Sequence, residues 1–343
     1  MRIKSIRTRL QRTIFILGFL IFSLLLFSCK SSTNPKETHS TSTSHIFSWQ
    51  KIPFSQLTPN IISVISKDDI WIAGVSTGDF SVLHWDGKAL NQVALYDPIY
   101  QSVKKYFSDF VANADNDLYF ADGNIFHSDG TTLQNMYTRD YDHNEFFQTL
   151  WMESPGDIYA AGRKSIIHFN GQEWSKVAVP GNDPVVDIWG MYPAEGAAAK
   201  IIGLVSGSGA LTVKRLITLS KGTVKDTLNL PDDIQARQLW FDMQSPVYVL
   251  GTDLWQYTNN KWEKTALDGT DLNALHGSAW NNIFVVGKNG YAAHFNGETW
   301  KSYPELRDES GEFETVCVKG DVVAMAGRFA SSSYLVIGVQ QQD

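Results

Sequence analysis

Four histidines recur in one local context, and they are the first chemistry to weigh in this 343-residue chain. His84, His127, His168 and His294 each precede a glycine-containing turn, in "LHWDG", "FHSDG", "IHFNG" and "AHFNG". Imidazoles hold a metal when they converge, usually with a second His or Cys at ligand spacing. None of the four has such a neighbour. Equivalent places in successive repeats are spread around a ring, so hydrogen bonding within each repeat is the expectation. The two cysteines differ in kind. Cys29 ends a short apolar run, whereas Cys317 sits inside "ETVCVKG", where a thiol acts as a small buried hydrophobe. No resident metal or cofactor is expected.

Oxygen and cation clusters come next. Asp140-Tyr141-Asp142-His143-Asn144 places oxygen donors at alternating positions, as the start of a Ca²⁺ loop would. Glu145 stands where such a loop needs glycine, and Trp151 where it needs glutamate, so an acidic surface loop is expected, with a weak Ca²⁺ site as the alternative. Arg163, Lys288 and Arg328 fall in turns between second and third strands, among acidic loops carrying Asp232, Asp233, Asp268, Asp271, Asp308 and Glu309. They make either a face of compensating charges or an anion-binding mouth. The most aromatic loops are "LYDPIYQSVKKYFSDF" and "MYTRDYDHNEFFQTL". Tyr96, Tyr100, Tyr106, Tyr137, Tyr141 and Phe146 there suit a protein interface, stacking on sugar rings, or a loop tucked over its own blade. Phe110 and Phe147 read as core.

The elements that position these residues are short strands. "NNIFVVGKNGYAAHFNGETW" holds the apolar run Ile283–Val286, an Asn-Gly turn, the strand Tyr291–Phe295, a second Asn-Gly turn, and a strand opening at Trp300. Leu272–Leu275 supplies one more strand upstream. "GDIYAAGRKSIIHFNGQEWSKVAVP" repeats the pattern, "DDIWIAGVSTGDFSVLHWDG" and "NDLYFADGNIFHSDG" repeat most of it, and three weaker copies follow. The residues closing the second strand are Gly74, Asp122, Gly162, Gly207, Gly251, Gly287 and Gly327, at gaps of 48, 40, 45, 44, 36 and 40. That period is one propeller blade per copy. The chain is therefore all-β: a seven-bladed β-propeller of four-stranded antiparallel blades over residues 46–343. The last copy lacks its fourth strand, and "FSWQKIPF" near the other end matches the fourth strands, so an N-terminal strand closes the last blade.

The first residues carry a basic head, Arg2 to Arg12, and an apolar run from Ile14 to Phe27, too short for a membrane span. Leu26-Phe27-Ser28-Cys29 resembles the lipobox of bacterial lipoproteins. The resemblance implies a signal peptide over 1–28, diacylation of Cys29, and insertion of the acyl chains in a bilayer. Phe27 is bulkier than the pattern's usual residue. Residues 29–45 are Ser/Thr-rich and lack apolar side chains apart from the cysteine, which reads as a tether of about 20–25 Å as a coil. Lys30 does not resemble an inner-membrane retention signal, so the expected location is the bacterial cell envelope, at the outer membrane. Formal charge is −7; cutting before Cys29 removes five basic residues and no acidic ones, and 24 minus 36 gives −12. So acidic a body argues against nucleic acid as a partner.

Together the repeats resemble bacterial propellers of the BNR/Asp-box and WD-like kind. That resemblance is architectural and covers almost the whole mature chain. It implies a non-catalytic binding module or protein-interaction scaffold, with a carbohydrate-binding propeller as one alternative. A sialidase-like glycan hydrolase is the other, with Arg163, Arg237 and Arg328 imitating that family's arginine triad. Against this last reading, the family's Arg-Ile-Pro segment and a Tyr-Glu nucleophile pair are missing, and "HFNGETW" lacks a residue that an Asp-box has.

Overall fold

The computed structural model describes residues 42–114, 116–177, 179, 184–191, 200–206, 214–220 and 223–341. The proposed signal segment, Cys29, most of the tether and Gly207 lie outside the described residues. The described chain forms seven four-stranded antiparallel sheets. Their inner strands are Leu57–Ser66, Asp109–Ala114, Phe146–Ser154, Val185–Met191, Gln238–Trp240, Leu272–Ala279 and Glu312–Lys319. Six sheets then step outward through consecutive strands, as the repeats predict, and blade 7 does so for its first three.

Burial follows position within the blade. Asn282–Gly287, the second strand of blade 6, is buried at every residue, because neighbouring blades cover both of its faces. An outer strand such as Trp300–Ser302 has no buried residue. This is why the second strands read as continuous apolar runs and the fourth strands do not.

The ring closes as expected. Phe47–Phe54 pairs antiparallel with Ser333–Gln340, in a register running from Phe47 opposite Gln340 to Phe54 opposite Ser333. It becomes the outer strand of blade 7, where Pro53 costs no inner ladder bond. Trp49 lies over Gly338, and any Cβ there would overlap its ring. Lys51 places its ammonium 3.8 Å from the ring centre of Tyr334. Across the seam, Ile62, Ile70, Ile72 and Leu83 of blade 1 share a core with Ala324, Leu335 and Ile337 of blade 7. Each large side chain there contributes about 1.5–3 kcal/mol. A few such terms equal a domain's entire net stability of about 5–15 kcal/mol, so the seam decides whether the ring stands.

The recurrent histidines are fasteners. His84, His127 and His168 bond through Nε2 to Asp69, Asp117 and Asp157 at 3.0, 2.9 and 2.7 Å. Each acid opens the second strand of the same blade, and each ring packs on Trp71, Tyr119 or Tyr159. Blade 6 departs from this pattern because Asn282 stands in the acid's place. His294 instead meets His45 of the N-terminal segment, with 3.0 Å between the two Nδ1 atoms. Nε2 of His294 and Oδ1 of Asn282 are left buried without partners.

The chain joins the propeller at the face opposite the blade-to-blade loops. Thr43 donates its backbone N–H to the Asn296 carbonyl at 3.0 Å and its hydroxyl to that of Asn281 at 2.6 Å. Tyr303 donates to the His45 carbonyl at 3.1 Å. Asn281 and Asn296 both lie in turns on that face. A chain beginning at Ser42 is expected to keep its full melting temperature, whereas one beginning at Ser55 loses at least ~10 °C, since 1 kcal/mol is worth about 2–4 °C in domains of 150–250 residues. Differential scanning fluorimetry of the two truncations checks this.

Candidate functional site

The seven inner strands enclose a channel of about 490 Å³. Its inward side chains are spent mostly on joining each blade to the next. Asp109 accepts the Leu150 N–H at 2.7 Å, Asp187 accepts that of Leu239 at 2.7 Å, and Gln238 accepts that of Leu275 at 2.8 Å. A second tier uses Ser63 for the Ala112 N–H at 3.1 Å and His276 for the Val318 N–H at 3.0 Å. Cys317 is hydrogen-bonded to the Val64 backbone across the closing seam. Backbone groups at the axis have no further strand to pair with, so these side chains satisfy donors that would otherwise go unmet.

This belt sets the chemistry of its members. Burial pushes the carboxyls of Asp109 and Asp187 up to about 7, against the backbone N–H bonds that favour ionisation. Burial pushes His276 down to about 4 and the Cys317 thiol up to about 11. Cys317 is thus a thiol at neutral pH, but it is half-buried on the channel wall and not fully buried as its strand context predicts.

The charged candidates of the loop face are held apart and engaged. Arg328 sends Nε and Nη2 to Glu314 at 2.9 and 2.6 Å. Arg237 bridges blades 5 and 6 by donating to the carbonyls of Gly251 and Leu272. Arg163 donates to Asn144 at 3.3 Å, and Lys288 to Asp271 at 3.3 Å. The three arginines therefore serve three separate blades and do not form one clamp.

The loop carrying Asp140–Asn144 is closed on itself. Asp140 accepts the N–H groups of Asp142 and His143 through Oδ1 and meets His143 Nδ1 at 2.6 Å through Oδ2. Asn144 turns the chain at φ +55°. Glu145 lies buried beneath, holding the Asp140 N–H, the Ser165 hydroxyl and Lys176. Its burial would raise its pKa, but Lys176 and these hydrogen bonds keep it below the ordinary value. Among the described residues no three His, Cys, Asp or Glu side chains gather as metal ligands would.

The aromatic loops converge. Residues 96–103 form a small hairpin, Tyr96–Asp97 paired with Ser102–Val103, that lies outside the seven sheets. Asp97 is buried at its base and accepts the N–H groups of Ile99 and Tyr100, which turns those two side chains outward. Tyr100 lies beside Tyr141 of the next loop. Tyr106 pairs with Val75 at the end of blade 1's second strand. Ile99, Tyr100 and Tyr141 are 63%, 64% and 58% exposed, and Val75, Tyr96 and Tyr106 are exposed as well. These six make up most of the large exposed hydrophobics among the described residues. Tyr96 lies outermost, beside Thr132.

Two of the sequence candidates serve as supports. Tyr137 packs on Phe147 and Trp174, and Phe146 lies beneath Arg139. Phe110 and Phe147 are core, as read. Sequence reasoning missed Val75, Ile99 and Arg139. The signal for Arg139 was its position in "YTRDY", a cation between tyrosines.

No family model and no curated protein matches the chain. Solved structures do. YCF48 bound to D1 peptide superposes with a TM-score of 0.65 at 13% identity, over 88% of this chain and 100% of that one. The WD40 repeats of RRP9 give 0.62 at 10% identity, over 88% and 99%. The WD40 propeller of Doa1 gives 0.61 at 9%, over 85% and 97%. At these identities the likeness establishes the seven-bladed fold and nothing finer.

The belt makes a pH prediction. A carboxyl raised to about 7 keeps its proton when folded and releases it when unfolded. Its contribution to stability is therefore present below about pH 4 and is lost as pH rises to about 7. His276 and His294, lowered to about 4 and 3, act with the opposite sign over much of that window and mask it in the wild-type curve. The difference between proteins isolates the effect. Asp187→Asn leaves a backbone donor poorly met and lowers the melting temperature at pH 4, but its deficit shrinks steadily towards pH 7. A deficit independent of pH between 4 and 8 would show that Asp187 is ionised throughout.

Proposed function

We propose that this chain is a non-catalytic protein-binding propeller of a bacterial cell envelope, held at the membrane by a lipid on Cys29, with its partner docking on the rim formed by blades 1 to 3. One observation carries the reading: Val75, Ile99, Tyr100, Tyr106 and Tyr141 are exposed along one stretch of rim. Elsewhere the polar candidates are spent within the fold. An exposed apolar patch rich in tyrosine is the usual mark of an interaction site. The neighbouring propeller YCF48 is described bound to a peptide, which supports a propeller of this architecture in that role.

The tether fits this use. The chain reaches the propeller on the face opposite the loops, at Thr43. The twelve residues from Lys30 to Thr41 span at most about 40 Å when fully extended. A bilayer anchor at Cys29 would then keep the propeller within that reach of the membrane.

The test is a crosslinking capture from envelopes of a strain making the full-length protein, comparing wild type, Tyr100→Ser/Tyr141→Ser, and Arg328→Ala. The reading predicts one stoichiometric protein partner with wild type and Arg328→Ala, reduced at least ~tenfold with the tyrosine double variant, as expected for loss of interface aromatics. Equal recovery with all three would place the partner elsewhere on the protein. In parallel, Cys29→Ser is expected to move the protein from the membrane to the soluble fraction.

A further inference from the structure

Three cations near the rim of blades 1 to 3 are matched to acids, whereas Arg163 donates to Asn144. Lys104 pairs with Asp122, Lys105 with Asp79, and Lys176 with Glu145. Arg139 is held in a different way. Among the described residues no carboxylate lies within ion-pair distance of it. Its guanidinium is held instead by aromatic rings, 4.4 Å from the centre of Tyr141 and 5.2 Å from that of Phe146. The Tyr141 hydroxyl lies close to that guanidinium and to Tyr100.

The site is built to hold that guanidinium in place. The Arg139 backbone N–H is pinned by Asn124 at 3.1 Å. Gly123, at φ +75°, gives the room: a Cβ there would crowd the guanidinium. Glu145 fixes the loop from below, and Asp97 fixes the hairpin that carries Tyr100. A guanidinium has five N–H donors in a rigid fork. Arg139 is half-buried, with Nη1 against Gly123 and rings on its flank, a setting in which a carboxylate is received by paired hydrogen bonds.

We propose that Arg139 is the specificity residue of the rim and that the docked partner is a peptide segment presenting a carboxylate beside an apolar side chain. This rests on the rim being the docking surface. The carboxylate lies against Arg139 and the Tyr141 hydroxyl, and the apolar side chain packs on Ile99 and Tyr100. A peptide is favoured over an acidic sugar because Val75 and Ile99 extend the patch with aliphatic surface, which offers a sugar neither a stacking ring nor a polar partner. The body is acidic overall, so the field at a distance repels such a segment and recognition depends on contact with Arg139.

The test is an array of randomised twelve-residue peptides, probed with the full propeller from Ser42 onward and rescreened with each Asp or Glu replaced by Asn or Gln, and with free or amidated C-termini. Selected peptides are expected to lose about tenfold in affinity when the carboxylate is removed. Arg139→Gln is expected to erase that difference, and Arg139→Lys to restore part of it, with melting temperatures within a few degrees of wild type. The amidated arm separates a side-chain carboxylate from a chain terminus. Peptides bound without regard to their carboxylates, or a carboxylate preference that survives in Arg139→Gln, would overturn the inference while leaving the rim as a docking surface. Binding to a uronic-acid glycan array with no peptide selected would make the ligand a sugar. No binding to either overturns the docking reading itself.

Discussion

No blade of this protein can bury its own faces. A four-stranded sheet with an apolar second strand such as Asn282–Gly287 needs a neighbour on both sides, so the sheets are stable only as a closed ring. Everything else depends on the last contact of that ring. The pairing of Phe47–Phe54 with Ser333–Gln340 joins the two ends of the chain. The core shared by blades 1 and 7 then completes the circle. At the axis, Cys317 beside Val64 extends across the same seam the side-chain belt that joins other blades.

This constraint separates scaffold from surface. Residues that fasten the ring are committed: the Asp–His pairs inside blades, Asp109 and Asp187 at the axis, and Arg237 bridging carbonyls. Their charges and hydrogen bonds are consumed in holding the fold, including several that resemble functional sites when read in isolation. The hairpin of residues 96–103 belongs to no blade and buries little of its own outer surface. It can vary without opening the ring.

The sequence made the architecture legible because blade and turn obey simple rules. Asn-Gly turns and fully apolar second strands repeat at blade spacing, and the missing fourth strand at one end had its match at the other. The axial belt was hidden because its members share a position and not a residue type: Ser63, Asp109, Asp187, Gln238, His276 and Cys317 carry no common motif. The candidate site was half legible. Tyr100, Tyr106 and Tyr141 read correctly as exposed, because a long loop outside the repeat has no strand to bury it. Tyr137 and Phe146 read the same way, yet Tyr137 ends an outer strand and packs on Trp174, while Phe146 opens an inner one. For Arg163, Lys288 and Arg328 the sequence left compensation and anion binding both open, because their partners, Asn144, Asp271 and Glu314, are 14 to 19 residues away in the chain, where no local pattern reveals them.

The most direct measurement of ring closure is native-state hydrogen exchange on the propeller from Ser42 onward. If closure governs the fold, the amides of Gln50 and Ile52, which bond blade 7, exchange with the same opening free energy as those of Ile70 and Ile72 in blade 1, since neither region can open without losing the ring. Exchange of the N-terminal strand several kcal/mol more easily than blade 1 would contradict the account and make the strand an accessory to a ring that stands without it.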